Sequence, residues 1–168
     1  IKQDNRRKIK FMSGKITDNL GRSSGLVKAA ASGGTNTPNF HVEDNAQQAL
    51  SNASATKLSF QTENYDSDSA FSSDKFTVPT GEAGKYWFYG YWALHEGDDF
   101  NNFRIYLYKN GSSIASFSTV HDNYESIQIS RVLELSEGDY VEVYAYQNSG
   151  LTGNTLGDSE FQGFKLIE

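Results

Sequence analysis

The 168-residue chain contains no cysteine. Disulfide bonds and thiolate metal sites are therefore excluded. Small secreted domains often depend on disulfides, so this absence leans away from an animal extracellular protein. No apolar run approaches the roughly 20 residues a membrane-spanning helix needs. No segment has the charged, apolar and small-residue order of a signal peptide. Histidine is scarce: His41, His95 and His121 share no metal-ligand spacing such as His-x-His. Gly84-Lys85-Tyr86 lacks the upstream glycine and following hydroxyl of a phosphate-binding loop. No metal and no cofactor is expected.

What is present is unevenly distributed. Residues 1–56 carry eight Lys/Arg and four Asp/Glu, a balance of +4. Residues 57–168 carry seven and seventeen, a balance of −10. An acidic domain is a poor partner for nucleic acid, because phosphate contacts need clustered cations. The first segment is rich in Ser, Asn, Ala, Gly and Lys. It cannot offset its own ordering entropy, so it reads as an extended arm that needs a surface to lie on. Arg6, Arg7, Lys8, Lys10, Lys15 and Arg22 are the candidate anchor to an acidic assembly surface. The plainer alternative is a solvated basic tail. Within the arm, Val42, Ala46, Ala49, Leu50 and Ala53 recur at helical spacing and predict a short helix. Met12 is the only methionine, so residues 1–11 are either upstream sequence or a longer native arm.

From Lys57 the pattern changes to period two, as at Phe76/Val78, Tyr86/Phe88, Ile105/Leu107, Ile127/Ile129, Leu133/Leu135 and Val141/Val143. Turn signals separate these pairs, and Asn110-Gly111 is the clearest hairpin signal among them. Many short strands without crossover helices predict an all-β antiparallel sandwich or jelly roll over residues 57–168. Two strands are aromatic on a second face: Trp87, Tyr89 and Tyr91 on one, Tyr140, Tyr144 and Tyr146 on the other. A strand with one wet face should alternate with polar residues. These six are the candidate interface of a closed homo-oligomer, since Tyr and Trp are enriched in such patches. Core or arm packing is the alternative. Stacking on sugar rings, with Trp87, Trp92 and several of the ten tyrosines as candidates, is another.

Catalysis finds little support. Gly21-Arg22-Ser23-Ser24-Gly25 formally matches a nucleophile elbow, but it lies in low-complexity sequence rather than on a strand-to-helix turn. Asp66-x-Asp68 and Glu96-x-Asp98-Asp99 are loop carboxylates that calcium would favour, yet neither is an EF-hand loop.

The ordered motifs resemble the C1q-like globular head and its tumour-necrosis-factor-like relatives. Phe60 and Asn64, then Phe76, Pro79, Gly84, Tyr86 and Phe88, are similar to the early signature of that family. Asn110-Gly111, then Leu135, Gly138, Asp139 and Val141, then Phe161, Gly163 and Phe164, follow in family order. The resemblance implies a ten-stranded jelly roll in a tight trimer that binds partners at its surface. The collagen stalk of animal relatives is missing, because there is no Gly-x-y repeat. Residues 15–29 are similar to leader segments of structural proteins from marine bacteriophages. Together these resemblances imply a non-enzymatic virion protein on an extracellular particle: a capsid decoration protein, head fibre or tail fibre. Its N-terminal arm would contact other virion proteins. The alternative is a head that recognises a host-surface glycan or receptor.

Overall fold

The structure is a computed structural model that describes residues 35–93, 102–119, 126–155 and 157–167. Its strands are β1 (Asn39–Asp44), β2 (Ala49–Leu50), β3 (Ser54–Lys57), β4 (Thr62–Asp66), β5 (Phe71–Ser72) and β6 (Lys75–Thr77). They continue with β7 (Gly84–Ala93), β8 (Phe103–Lys109), β9 (Ser112–Thr119) and β10 (Ser126–Leu135). The last three are β11 (Tyr140–Gln147), β12 (Gly153–Asn154) and β13 (Ser159–Lys165). Two five-stranded antiparallel sheets result, ordered β10-β7-β13-β1-β4 and β5-β6-β11-β8-β9, with a small β2–β12 pair beside them. The predicted all-β antiparallel sandwich is what the chain forms.

The period-two residues supply the core between the sheets. Phe40, Phe76, Tyr86, Phe88, Phe103, Ile105, Leu107, Val141, Val143 and Phe161 are fully buried. The Phe40 ring lies 5.1 Å from each of Phe71, Phe76 and Phe161, stacked on the first two and edge-on to the third. Burying one such ring contributes about 1.5–3 kcal/mol.

Phe40 also moves the expected boundary. The compact unit begins at Thr35, and its first strand carries Phe40 and Val42 into the core. Residues 35–56 therefore belong to the sandwich and not to the arm. Low aromatic content hid this, because one strand needs only two or three large side chains to join a core. With the boundary moved, residues 1–34 balance to +6 and residues 35–168 to −12. The helix expected over 42–53 is absent. Burial along β1 alternates at period two, because β1 pairs with both β13 and β4. Ile127/Ile129 and Leu133/Leu135 lie on one ten-residue strand, β10, rather than on two.

Two sequence motifs meet at one end of the second sheet. Asn110 and Gly111 take φ of 51° and 76°, the left-handed pair a tight hairpin between β8 and β9 requires. Asn110 Nδ2 donates to Asp139 Oδ1 at 2.7 Å, and the Tyr140 amide donates to Asn110 Oδ1 at 2.9 Å. Lys109 Nζ adds an ion pair with Asp139 Oδ2 at 2.8 Å. The hairpin and the turn before β11 are thereby tied together.

Candidate functional site

Strand β7 decides the first candidate face. Tyr86, Phe88 and Trp92 point into the core, while Trp87, Tyr89 and Tyr91 project outward, half-buried. Cross-strand register arranges the outer face of this sheet in three rows. One row is Val132, Trp87, Phe164 and Asn39. The next is Ser130, Tyr89, Gln162, His41 and Tyr65. The third is Gln128, Tyr91, Glu160, Glu43 and Thr62. The face thus grades from apolar, through amphipathic, to acidic.

Packing holds the apolar row in place. The Trp87 ring lies 5.2 Å from Phe164 and stacks on Tyr89 at 5.9 Å. Its Nε1 donates to Ser130 Oγ at 2.9 Å. Val132 beside it stays 51% exposed. In the middle row His41 Nε2 lies 3.0 Å from Glu160 Oε2 and 3.7 Å from Glu43 Oε1. Asn64 Nδ2 donates to Glu43 Oε1 at 2.7 Å and lies 3.2 Å from His41 Nδ1. Burial, then the Glu160 carboxylate, raises the Tyr89 phenol, which stays protonated at neutral pH. The acidic row borders an open cavity of about 390 Å³ lined by Glu43, Tyr91, Asp158 and Glu160.

The second candidate face is the outer side of the other sheet. Tyr140, Tyr144 and Tyr146 of β11 project there, joined by Tyr106 and Tyr108 of β8. Tyr108 and Tyr144 lie 4.2 Å apart, and Tyr106 meets Tyr108 edge-on at 6.2 Å. Lys75 Nζ sits 4.7 Å above the Tyr140 ring, and the Arg104 guanidinium is 6.0 Å from that of Tyr146. Glu142 is neutralised by Lys57 at 2.8 Å. Burial is the main reason the Tyr144 phenol is raised.

Of the six candidate interface aromatics, Trp87, Tyr89 and Tyr91 lie on the outer face of the first sheet and Tyr140, Tyr144 and Tyr146 on that of the second. Alternation within each strand is legible in sequence. Which sheet a strand joins depends on pairing partners remote in the chain. Tyr106 and Tyr108 are not in the expected interface set, because Ile105 and Leu107 give their strand the pattern of an ordinary half-buried one. Trp92 is fully buried and cannot stack on a sugar. Asp66 accepts from the Ala70 and Phe71 amides at 2.9 and 2.8 Å, so its carboxylate closes a turn. Asp68 accepts from Ser67 Oγ at 2.6 Å. Among the described residues no group of three or more side chains is arranged to hold a metal ion. The anchor candidates Arg6, Arg7, Lys8, Lys10, Lys15 and Arg22 lie outside the described residues, as do Ser23, His95, Glu96, Asp98, Asp99 and His121.

No family model matches the chain, and no curated protein matches it in sequence. Solved structures do match it. The globular domain of zebrafish complement 1qA protein superposes with a TM-score of 0.60 at 20% identity, over 78% of this chain and 98% of that one. Murine APRIL at pH 5.0 gives 0.60 at 16% identity, over 76% and 98%. Eiger TNF from S. frugiperda gives 0.59 at 14% identity, over 77% and 92%. The fold is the C1q/TNF-like jelly roll. Its signature residues can now be placed. Phe76, Tyr86, Phe88 and Phe161 fill the jelly-roll core, and Asn110, Gly138 and Asp139 build its turns. Phe164 alone of the closing aromatic pair faces outward, onto Trp87.

Proposed function

We propose that this jelly roll is a non-enzymatic head that assembles as a homotrimer through the outer face of its first sheet. The observation that carries the reading is the row of Val132, Trp87 and Phe164, backed by Tyr89. These are large side chains left partly exposed side by side on one sheet face. Interface cores are enriched in aromatic residues and depleted in charge, and this row fits both descriptions. The structural likeness to C1q and TNF-type heads supports the trimer. The residues shared with that resemblance are apolar or turn-forming, which disfavours catalysis by them.

The proposed setting is a bacteriophage particle, with the head displayed outward as a decoration protein or fibre. Residues 15–29 support this through their likeness to phage leader segments. The charge contrast supports it too: residues 1–34 balance to +6, which suits an arm that binds an acidic surface. Light scattering on the full chain tests assembly. The expected mass is three times 18.7 kDa, and a stable monomer overturns the trimer. Antibody labelling of purified particles tests the setting, and particles without the chain overturn it.

A further inference from the structure

The tyrosine-rich face of the second sheet lies on the opposite side of the sandwich from the proposed trimer interface, and it has a distinct chemistry. No aliphatic side chain points outward from β8 or β11. Five tyrosines do, and Ser118, Ser116 and Ser113 of β9 stand opposite Arg104, Tyr106 and Tyr108. Adjacent strands are ~4.8 Å apart, and same-face residues on one strand ~6.7 Å, so the rings and hydroxyls lie in rows, interrupted where the register shifts between Leu107 and Tyr108 and Ile114 of β9 is 37% exposed. Protein interfaces are depleted in serine and bury aliphatic or aromatic anchors in pockets. This array offers phenol faces for the C–H surfaces of sugar rings and a lattice of hydroxyls for sugar hydroxyls.

Charge narrows the occupant. Residues 35–168 hold seven cations against nineteen anions. Three of the seven, Lys57, Lys75 and Arg104, are spread along this one face, with Tyr140 and Tyr146, which carry Lys75 and Arg104, about 20 Å apart on β11. Lys57 is matched by Glu142, whereas Lys75 and Arg104 lie against the rings of Tyr140 and Tyr146. Arg104 Nε donates to Asn102 Oδ1 at 3.0 Å, which holds the guanidinium near the ring. A cation already seated on an aromatic ring keeps its remaining N–H groups for an anion, and a guanidinium binds carboxylate or sulfate in a fork.

The geometry points to a binding surface for an acidic polysaccharide: its sugar rings lie against the outward surfaces that Tyr106, Tyr108, Tyr144 and Tyr146 leave uncovered, and its anionic groups meet Lys75 and Arg104. The surface is built from the second sheet, whereas the proposed trimer face belongs to the first. A trimer would multiply it threefold and raise avidity.

The test uses the full chain on immobilised polygalacturonate, with neutral dextran as comparison and light scattering on the same samples. Retention on polygalacturonate but not on dextran is expected. The Lys75→Ala/Arg104→Ala double variant should bind at least about tenfold more weakly, the loss of one or two charge-assisted hydrogen bonds. Tyr106→Ala/Tyr146→Ala should weaken binding comparably with the charge intact, and Tyr106→Phe/Tyr146→Phe should recover the stacking part. Because the arm is basic, a variant with Arg6, Arg7, Lys8 and Lys10 changed to Ala is the control, and it should bind normally. Loss of binding in that control, or full binding by both face variants, overturns the assignment. So does equal retention on poly-glutamate that is insensitive to the tyrosines, which would mark an acidic protein as the occupant. The mass of each sample is read separately, so failure of the sugar surface and failure of the trimer are distinct results.

Discussion

Gly163 of β13 lies directly opposite Phe88 of β7, and a Cβ at Gly163 would stand 2.7 Å from Phe88 Cδ1. It would also stand 2.9 Å from the Trp87 carbonyl oxygen, which cannot rotate away. The glycine of the closing strand is thus required by close approach of two strands over a buried ring. Gly163→Ala is expected to cost about 1–3 kcal/mol, as overpacking of a filled core does. Urea unfolding would show the lower midpoint, and an unchanged midpoint would contradict this packing.

The two aromatic faces predict opposite outcomes for matched substitutions. Trp87→Ala removes the centre of the apolar row, and loss of a central interface aromatic costs about 2 kcal/mol or more. Light scattering at low protein concentration should then show dissociation. Tyr144→Ala on the other face should leave the assembled mass unchanged. Equal behaviour of the two variants would remove the assignment of the interface to the first sheet.

Acid should weaken the tie between the two turns. Lys109 Nζ, then Asn110 Nδ2 and the Ser136 amide, all donate to Asp139 and hold its carboxyl at about 2, below its ordinary 3.8. A pKa lowered in the folded state stabilises fully above the unfolded value and is lost as pH falls through the folded one. Stability should therefore drop between about pH 4 and pH 2 through this group. Asp139→Asn should be less stable at pH 6 and should show a shallower drop across that window, measured by thermal unfolding at each pH.

The boundary at Thr35 gives a truncation experiment. A chain starting at Thr35 keeps β1 and should unfold cooperatively. A chain starting at Lys57 loses the Phe40 and Val42 side chains and leaves β13 without its β1 partner. It should fail to show a cooperative transition. Phe40→Ala in the full chain should cost about 3–5 kcal/mol, as removal of a fully buried ring does. A cooperative transition in the shorter chain would put the boundary back at Lys57.

Much of the jelly roll is legible in the sequence. Period-two burial told which residues of β7 and β11 point inward, because side chains alternate on any extended strand. Asn110-Gly111 announced its hairpin, because only that turn chemistry suits the twist of the flanking strands. Periodicity misleads at Val42–Ala53, where small alanines match a helical spacing by chance and β1 draws its stability from β13 and β4. It was also silent on β1 itself, since one short strand with two apolar residues gives no signal above its surroundings.

Local chemistry in the sequence by itself determined the fold class, the inward residues of each long strand, the turns and the absence of disulfides. Each of these depends on neighbours within a few positions. Only the tertiary structure decided that Trp87 and Tyr144 face opposite ways, and that Asn110 reaches Asp139. It alone placed His41 beside Glu160 and set Lys75, Arg104 and five tyrosines along one surface. Those relationships join residues tens of positions apart, and sheet order, which sets them, is a property of long-range pairing.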